Sequence, residues 1–289
     1  MMIRIRSGTP VALILAAQTV LAGCASSSAT SAPANRPPSA TGGAFVWQDL
    51  VTTDAPAARK FYSALLGWEF KDVSRAGRPY LIATTATGPV GGLVDVRSIK
   101  DAASQWVSYV TVADIDRTVQ QVEAAGGKIL APPTATGAGR VCVMADPQGA
   151  AIGLLQPTAG VPALPASPAT AHFFWREYLA QDASKALAFY KDVLGYEATS
   201  TDRGQGLEYF VLRRDRPRAG LFQLPASASQ VRPNWLPYVL VDDPAALAAK
   251  ATSLGGRILL SPSPDRRNGT LVVVADPTGG VVALQKYPL

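Results

Sequence analysis

Apolar residues recur with a helical period in four stretches of the chain, and each stretch lies between an aspartate and a glycine. In the first stretch, Ala58, Phe61 and Leu65 keep the spacings of three and four residues that place side chains on one helix face. An aspartate side chain accepts hydrogen bonds from the free amides at a helix start, and glycine tolerates the left-handed conformation just past a helix end. The pattern therefore predicts four helices, between Asp54 and Gly67, Asp114 and Gly127, Asp182 and Gly195, and Asp243 and Gly256.

Short runs rich in β-branched and aromatic residues flank each predicted helix and indicate strands. One strand precedes each helix, at 44–52, 106–112, 171–180 and 235–241. Three short strands follow each helix, as at 68–73, 80–84 and 90–96, and the last quarter ends with strands at 271–275 and 281–285. Every quarter therefore reads βαβββ. Because one such unit cannot cover its own sheet, two units must pair to close a domain.

Several characteristic residues of these units occur twice at a larger spacing, which indicates two domains. A first set recurs with a constant shift of 128 residues: Trp47, Asp49, Asp54, Phe61, Tyr62 and Gly67 return as Trp175, Glu177, Asp182, Phe189, Tyr190 and Gly195. The sequence Asp-Pro-x-Gly at 146–149 returns at 276–279. We therefore expect an α+β chain with two tandem domains, at 43–157 and 171–289, joined by a linker at 158–170.

The first residues show the three parts of a secretory signal. Two arginines, Arg4 and Arg6, precede an apolar run at 11–21 that is too short to span a bilayer comfortably, and small residues follow. The run ends in Leu-Ala-Gly-Cys, which resembles a lipobox, where Cys24 is lipidated and the chain is cut before it. We therefore predict a lipoprotein signal peptide at 1–23.

Residues 24–42, which begin with the lipidated Cys24, consist almost wholly of Ser, Ala, Thr, Pro and Gly, and this composition predicts a flexible tether. Ala25, rather than an aspartate, follows the cysteine, which indicates sorting to the outer membrane. We expect a protein of the cell envelope, anchored to the membrane by lipid and facing the periplasm. Cys142 then remains without a disulfide partner, and its apolar surroundings indicate a small buried hydrophobe.

The formal charge of +6 is a small basic excess, and it shows no nucleic-acid footprint. Part of this excess lies in a predicted hairpin turn, which contains Arg213, Arg214, Arg216 and Arg218. The sequence favours a solvated turn there over an anion site. We expect a small organic ligand and the membrane as partners and no nucleic acid; whether the chain forms a homo-oligomer stays open.

Paired βαβββ units, with Asp-Pro-x-Gly before the last strand and Phe-Tyr closing the first helix ahead of Leu-Gly, resemble the vicinal oxygen chelate superfamily. That superfamily includes glyoxalase I, extradiol dioxygenases and bleomycin-resistance proteins. The resemblance covers nearly all of the chain after Gly43. It implies that each domain is a curved mixed sheet that forms a cup, with helices outside. We call the concave face of residues 43–157 the first cup and that of residues 171–289 the second cup.

Many members of that superfamily bind a metal at the centre of the cup, but the ligand positions here carry other residues. Carried over by position, the first-strand, fifth-strand and last-strand ligands fall on Trp47, Val107 and Gly153, and on Trp175, Leu236 and Ala283. Asp95 is the carboxylate nearest the fourth-strand position. His172, the one histidine, is expected on the opposite face or the rim, without partners. We therefore expect no metal and no other cofactor, which argues against a metal-dependent glyoxalase or dioxygenase.

Counting by twos along the strands from the superfamily's first ligand position gives the residues that the resemblance implies should face each cup. The first strands contribute Phe45, Trp47, Asp49 and Val51, and Phe173, Trp175, Glu177 and Leu179. The fifth strands contribute Val107, Tyr109 and Thr111, and Leu236, Tyr238 and Leu240. The candidate ligand-binding residues are the tryptophan, acid and tyrosine of each cup: Trp47, Asp49, Tyr109, Trp175, Glu177 and Tyr238. We expect Trp106 and Trp235 on the helix side, a hydroxyl bond from Tyr109 to Asp49, and another from Tyr238 to Glu177.

Three functions are compatible with this pattern. The first is an envelope lipoprotein that binds a small organic molecule in its metal-free cups. The second is a metal-independent lyase or isomerase, with Asp49 or Glu177 as the catalytic base and Tyr109 or Tyr238 as the acid. The third is an interaction module or scaffold, whose cups are filled by their own aromatic residues.

Replacing Cys24 with serine tests the predicted anchor. Serine cannot accept the lipid, so the chain should move from the membrane to the soluble envelope fraction when the fractions are compared by immunoblot. The matched control is Cys142→Ser, which removes the other cysteine. Membrane association that persists in Cys24→Ser would contradict the predicted lipobox.

Overall fold

A computed structural model gives the fold over residues 42–74, 79–158, 168–202 and 208–287. The predicted signal peptide, Cys24 and nearly all of the predicted tether lie outside these described residues. No helix within these four ranges is both long and apolar enough to cross a bilayer.

The first domain contains two consecutive βαβββ units. The first unit is β1 (Phe45–Thr52), α1 (Ala55–Leu66), β2 (Glu69–Asp72), β3 (Tyr80–Thr85) and β4 (Gly88–Asp95). The second unit is β5 (Gln105–Thr111), α2 (Ile115–Ala124), β6 (Lys128–Thr136), β7 (Gly139–Ala145) and β8 (Ala151–Pro157).

The second domain repeats this order. Its first unit is β9 (Phe173–Ala180), α3 (Ala183–Leu194), β10 (Glu197–Asp202), β11 (Glu208–Arg213) and β12 (Pro217–Gln223). Its second unit is β13 (Asn234–Leu240), α4 (Pro244–Ser253), β14 (Arg257–Leu260), β15 (Leu271–Ala275) and β16 (Val281–Gln285). The predicted α+β fold of two tandem domains, each a pair of βαβββ units, is confirmed.

Each domain has one mixed sheet of eight strands, and the two sheets share one order. The first sheet runs β2-β3-β4-β1-β5-β8-β7-β6, and the second runs β10-β11-β12-β9-β13-β16-β15-β14. The first strands of the two units, β1 and β5 or β9 and β13, lie side by side at the centre and pair antiparallel. Side chains from both units therefore meet above these central strands, where each cup is deepest.

Aspartates begin all four described helices, as predicted. The side chains of Asp54, Asp114, Asp182 and Asp243 each accept a hydrogen bond from a backbone amide three residues on. Gly67 and Gly195 end α1 and α3 in the left-handed conformation. The other two predicted stop glycines are off by one residue, because Gly126 and Gly255 take the left-handed conformation in place of Gly127 and Gly256.

The register along the central strands corrects the predicted cup lining at two positions. A β-bulge interrupts the β1–β5 ladder between Phe45 and Trp47, and the matching bulge in the second domain shifts the ladder at Phe173. The extra residue reverses the side-chain alternation. Phe45 therefore packs against Trp235, and Phe173 packs against Trp68 and Trp106, on the helix side. The predictions that Phe45 and Phe173 face the cups are wrong, and Val46 and Phe174 pack there instead.

The two domains pack together through their helix sides. Helix α1 contacts α4, and α2 contacts α3, so each contact joins one domain to the other. Two large apolar clusters cross this interface, one containing Val110 with Phe189 and the other containing Leu50 with Val274. The cups consequently face away from each other, on the outer sides of the molecule.

In two equivalent places, a tyrosine of one domain donates a hydrogen bond to an aspartate of the other domain across this interface. The Tyr62 hydroxyl donates to the Asp276 carboxylate at 3.0 Å, and the Tyr190 hydroxyl donates to Asp146 at 2.9 Å. Each hydroxyl also accepts a bond from an indole N–H, of Trp106 or Trp235. The predicted helix-side placement of these two tryptophans is confirmed.

The interface bonds give a prediction for stability. Tyr62→Phe and Tyr190→Phe should each lower the free energy of unfolding by about 1–3 kcal/mol, because a buried carboxylate and a buried indole N–H lose a partner. Denaturant titration measures the change, and Tyr287→Phe, at an exposed tyrosine, is the matched control. Stability equal to that of the control would show that these bonds do not hold the domains together.

Candidate functional site

The first cup has the carboxylate of Asp49 at its centre. Asp49 lies on β1 and is fully buried. Its Oδ1 accepts a hydrogen bond from the Tyr80 hydroxyl at 2.8 Å and another from the indole N–H of Trp47 at 2.9 Å. The same indole N–H lies 3.0 Å from the Tyr80 oxygen. These donors offset part of the cost of placing an acid in an apolar cup.

The predicted bond from Tyr109 to Asp49 is wrong. Tyr109 lies beside Trp47 in the β1–β5 ladder, and its hydroxyl is close enough to lower the pKa of Asp49. It lacks the geometry of a hydrogen bond, however, and within the described chain neither the Tyr109 hydroxyl nor Oδ2 of Asp49 has a partner. Burial is the largest influence on this acid, and it raises the pKa of Asp49 to about 6.

Apolar and aromatic side chains fill the remainder of the first cup. Trp47 is 7% exposed, and Tyr109 is fully buried. They form one cluster with aliphatic side chains from seven strands, including Val51, Ile82, Val94, Val107, Ala131, Val141 and Leu155. In the first domain, the alternative that aromatic residues plug the cup is therefore what the structure shows.

The second cup has Glu177 in the position equivalent to Asp49. Oε1 of Glu177 accepts from the Tyr209 hydroxyl at 2.9 Å and from the guanidinium group of Arg267, and Oε2 accepts from the Tyr238 hydroxyl. The predicted bond from Tyr238 to Glu177 is confirmed. The indole N–H of Trp175 donates to the Tyr209 oxygen at 3.3 Å, which repeats the contact between Trp47 and Tyr80.

The polar groups of the second cup lie closer to solvent than those of the first. The side chains of Glu177 and Arg267 are 8% and 15% exposed, and Trp175 is half-buried, whereas Asp49 and its donors are buried. The guanidinium carbon of Arg267 also lies 5.6 Å from the centroid of the Tyr238 ring, over its face. The second cup therefore holds a charge pair and two buried hydroxyls, with Arg267 and the indole of Trp175 reaching closest to solvent.

The loop that carries Arg267 has an unusual backbone. Arg267 and Asn268 have φ values of 47° and 52°, a left-handed conformation that residues other than glycine seldom adopt. In this conformation the loop between β14 and β15 directs the Arg267 side chain onto Glu177. The internal repeat, with its shift of 130, makes Gly137 the equivalent in the first domain, so no side chain exists there to reach Asp49.

The donors in the cups do not match the metal site that the resemblance implies. On the fourth strands, Gly92 and Gly220 leave space for the tyrosines, because a Cβ added at either position would lie 2.1 Å from the hydroxyl of Tyr80 or Tyr209. On the last strand of the first domain, a Cβ at Gly153 would lie 2.2 Å from the Tyr109 ring. Tyrosines thus occupy the space that metal ligands would need. The described residues contain no cluster of three or more His, Cys, Asp or Glu side chains.

Three residues of this arrangement were missed by sequence reasoning. Tyr80 and Tyr209 lie on the third strand of their units, and the internal repeat relates them by a shift of 129, which was the available signal. Arg267 gave no such signal, because its counterpart Gly137 has no side chain and because Arg267 lies in an irregular loop.

The remaining candidates lie outside the cups. Asp95 pairs with Arg97 beside a surface groove between α1 and β2–β4. His172 accepts or donates bonds with Thr85 and Thr87 of the other domain, so the expectation that it has no partners is wrong. Cys142 is fully buried, which raises the pKa of its thiol to about 12 and agrees with the predicted hydrophobic role.

The raised pKa of Asp49 predicts a pH dependence of stability. Between pH 4 and pH 6 the folded state keeps a proton on Asp49 that the unfolded state has released, so the Asp49 contribution to stability falls as the pH rises. Asp49→Asn mimics the protonated acid and removes this pH-dependent contribution to stability. The difference in unfolding free energy, variant minus wild type, should therefore grow across this window by up to about 3 kcal/mol. A difference that stays constant with pH would contradict the buried placement of Asp49.

Comparison with known proteins agrees with this architecture. The chain is 34% identical over 245 residues to CFP32 of Mycobacterium tuberculosis, a protein that carries a provisional glyoxylase name, and the match covers 83% of this chain and 93% of CFP32. It is 31% identical over 269 residues to the anthracycline biosynthesis protein DauV of a Streptomyces species, and this match covers 85% of this chain and 95% of DauV.

Solved structures share the fold at low sequence identity. An Mn(II)-bound glyoxalase from Novosphingobium aromaticivorans is 17% identical, with a TM-score of 0.52 over 84% of this chain and 80% of that chain. The 2,3-dioxygenase LapB from Pseudomonas is 12% identical, with a TM-score of 0.54 over 86% of this chain and 92% of that chain. The sequence pattern of the Glyoxalase/Bleomycin resistance protein/Dioxygenase superfamily matches the chain twice, at residues 44–154 and 171–284. The chain therefore belongs to the Glyoxalase/Bleomycin resistance protein/Dioxygenase superfamily.

Proposed function

We propose that the second cup binds a small organic molecule and that the first cup is a filled structural copy of it. The observation that carries this proposal is the difference between the two acids. Glu177 lies at an accessible charge pair with Arg267, beside the half-buried Trp175. Asp49 has the same tyrosine and tryptophan donors, but apolar side chains seal it from solvent.

The arrangement supports binding better than acid–base catalysis. A general base needs a free lone pair near the substrate. Three of the roughly four acceptor sites of the Glu177 carboxylate are already used, one of them by a guanidinium group, and the one that is left can accept a hydrogen bond from a ligand. Asp49 does have a raised pKa, but it lies where a substrate does not reach. A metal-independent lyase or isomerase that uses Glu177 and Tyr238 is the alternative, because that pair is in hydrogen-bond contact.

The chemistry of the second cup favours a flat molecule with polar edges. Trp175 and Phe174, which are only partly buried, supply aromatic surface, while Glu177 and Arg267 supply one acceptor and one donor for a ligand's hydroxyl, carbonyl or amine groups. The relative DauV is named for anthracycline biosynthesis, and anthracyclines are flat polycyclic aromatic molecules. We extend this ligand class, planar oxygenated aromatic compounds, to the present chain.

We further propose that this binding takes place at the cell envelope. The support is the sequence alone: the signal at 1–23, the lipobox cysteine Cys24 and the tether at 24–42. A lipid-anchored domain of this kind would hold its ligand near the outer membrane, on the periplasmic side.

Ligand capture tests the proposal. The purified protein is incubated with a metabolite extract and, separately, with the anthracycline doxorubicin, and bound molecules are identified by native mass spectrometry. Wild type should retain a planar aromatic compound. Glu177→Gln and Arg267→Gln should each weaken binding about tenfold or more, because each removes one half of the charge pair that the ligand's polar groups contact.

Asp49→Asn is the matched control, since it makes the corresponding change in the sealed cup and should leave affinity unchanged. Equal loss in Asp49→Asn and Glu177→Gln would contradict the assignment of binding to the second cup. Conversion of a captured compound into a product, abolished by Tyr238→Phe, would favour the lyase or isomerase alternative.

A further inference from the structure

Arg218, on β12 directly after the β11–β12 turn, is buried with most of its guanidinium group unpartnered. Its side chain is only 3% exposed, and its single ion pair is with Asp215, whose side chain is 53% exposed. That pair uses Nη2, at 2.5 Å. Nε and Nη1 are buried without a hydrogen-bond partner among the described residues. The sequence-based expectation of a solvated turn is therefore wrong at Arg218, although Arg213, Arg214 and Arg216 are exposed.

Two further arginines lie around the same place. The Arg214 side chain and the Tyr196 ring meet at Gly43, where an added Cβ would lie 3.5 Å from Arg214 Cδ and 2.9 Å from Tyr196 Cε1. Burial raises the pKa of Tyr196, and the positive charges of Arg218, Arg214 and Arg176 counteract this effect. The Tyr196 hydroxyl donates to the backbone oxygen of Gly43 at 2.8 Å, which brings the first residues of the first domain to this cluster.

The two neighbouring arginines donate hydrogen bonds to neutral groups, and these bonds do not balance their positive charges. With its amide oriented so that the oxygen faces the guanidinium group, Gln48 accepts from Arg176 Nε at 2.6 Å and Nη2 at 2.8 Å. Arg176 also lies over the Phe45 ring, 5.4 Å from its centroid. Arg214 donates to the Leu194 carbonyl at 3.4 Å.

The charges of this cluster do not balance. Within the described residues, Asp215 is the only carboxylate in an ion pair with any of Arg176, Arg214 and Arg218. An arginine stays protonated at all physiological pH values, and a buried charge is costly unless it is paired. Two buried guanidinium groups, of Arg176 and Arg218, with one exposed carboxylate therefore call for a further negative charge. An anion placed there can accept hydrogen bonds from the unpartnered nitrogens of Arg218.

We propose that the β11–β12 turn is an oxyanion site, in which Arg218 and Arg214 bind a phosphate group and Arg176 adds positive charge behind it. Guanidinium groups and phosphate form strong charge-assisted hydrogen bonds, which suits this choice of ligand. The phosphate belongs either to a free small anion or to the headgroup of an anionic lipid. The site lies on the helix-side edge between the domains and uses none of the residues of the second cup, so it stands or falls independently of the proposed function.

The test is a titration of the full chain with inorganic phosphate at constant ionic strength, with chloride as the balancing anion. Wild type should show saturable binding in isothermal titration calorimetry and a matching rise in Tm. Arg218→Met should weaken the affinity about tenfold or more. Arg216→Gln, an exposed arginine in the β11–β12 turn, is the matched control and should change it less than twofold.

A second variant separates binding from folding. Asp215→Asn removes the carboxylate that competes for Arg218 and keeps the guanidinium group, so phosphate affinity should rise about two- to fivefold. This variant tests the proposed oxyanion site even if Arg218→Met does not fold. Phosphate affinity that is unchanged or weaker in Asp215→Asn would overturn the proposal.

A binding experiment with lipid vesicles distinguishes the two sources of phosphate, a free anion and a lipid headgroup. The Cys24→Ser chain is sedimented with vesicles of phosphatidylglycerol or, as the neutral control, of phosphatidylcholine. Binding to phosphatidylglycerol alone, lost in Arg218→Met, assigns the site to a lipid headgroup, whereas saturation by inorganic phosphate without vesicle binding assigns it to a small anion. The absence of saturable binding in both arms, or equal binding by wild type and Arg218→Met, would show that no oxyanion site exists there.

Discussion

The structure depends on one constraint in each cup, which is that a carboxylate on the central strand must find donors away from water. In both domains a tyrosine from the third strand donates to that acid, and a tryptophan two residues before the acid contacts the same hydroxyl. Gly92 and Gly220 make the space in which the tyrosine sits. A network of side-chain hydrogen bonds therefore occupies the centre that a metal and its ligands would otherwise require.

The two cups differ because their outer edges differ. In the first domain, β6 and β7 form a long ladder, and the cup beneath is packed with aliphatic side chains. In the second domain, β14 is only four residues long, and the loop after it turns Arg267 back onto Glu177 through a strained backbone. Glutamate also reaches one methylene further than aspartate, toward the opening. The first copy is therefore packed as an apolar core, whereas the second keeps a charge pair that is partly exposed.

Local rules made most of the fold predictable, and non-local geometry explains what they missed. Capping aspartates and stop glycines predicted the helices to within two residues, and the internal repeat predicted the βαβββ order. Strict alternation failed at Phe45 and Phe173, because a β-bulge inserts one residue into a strand and leaves no period of its own in the sequence. Tyr238 was placed correctly against Glu177, but Arg267 was not foreseeable, since its position depends on two left-handed residues in a loop.

The central claim is that equivalent networks lie in one sealed and one open cup, and oxidative footprinting of the folded protein tests it most directly. Hydroxyl radicals modify side chains in proportion to their contact with solvent, and mass spectrometry locates each modification. The structure predicts modification at Trp175, which is half-buried, and protection of Trp47, which is 7% exposed. Addition of a captured ligand should then protect Trp175 as well. Equal modification of the two tryptophans, or protection of Trp175 in the ligand-free protein, would contradict the account.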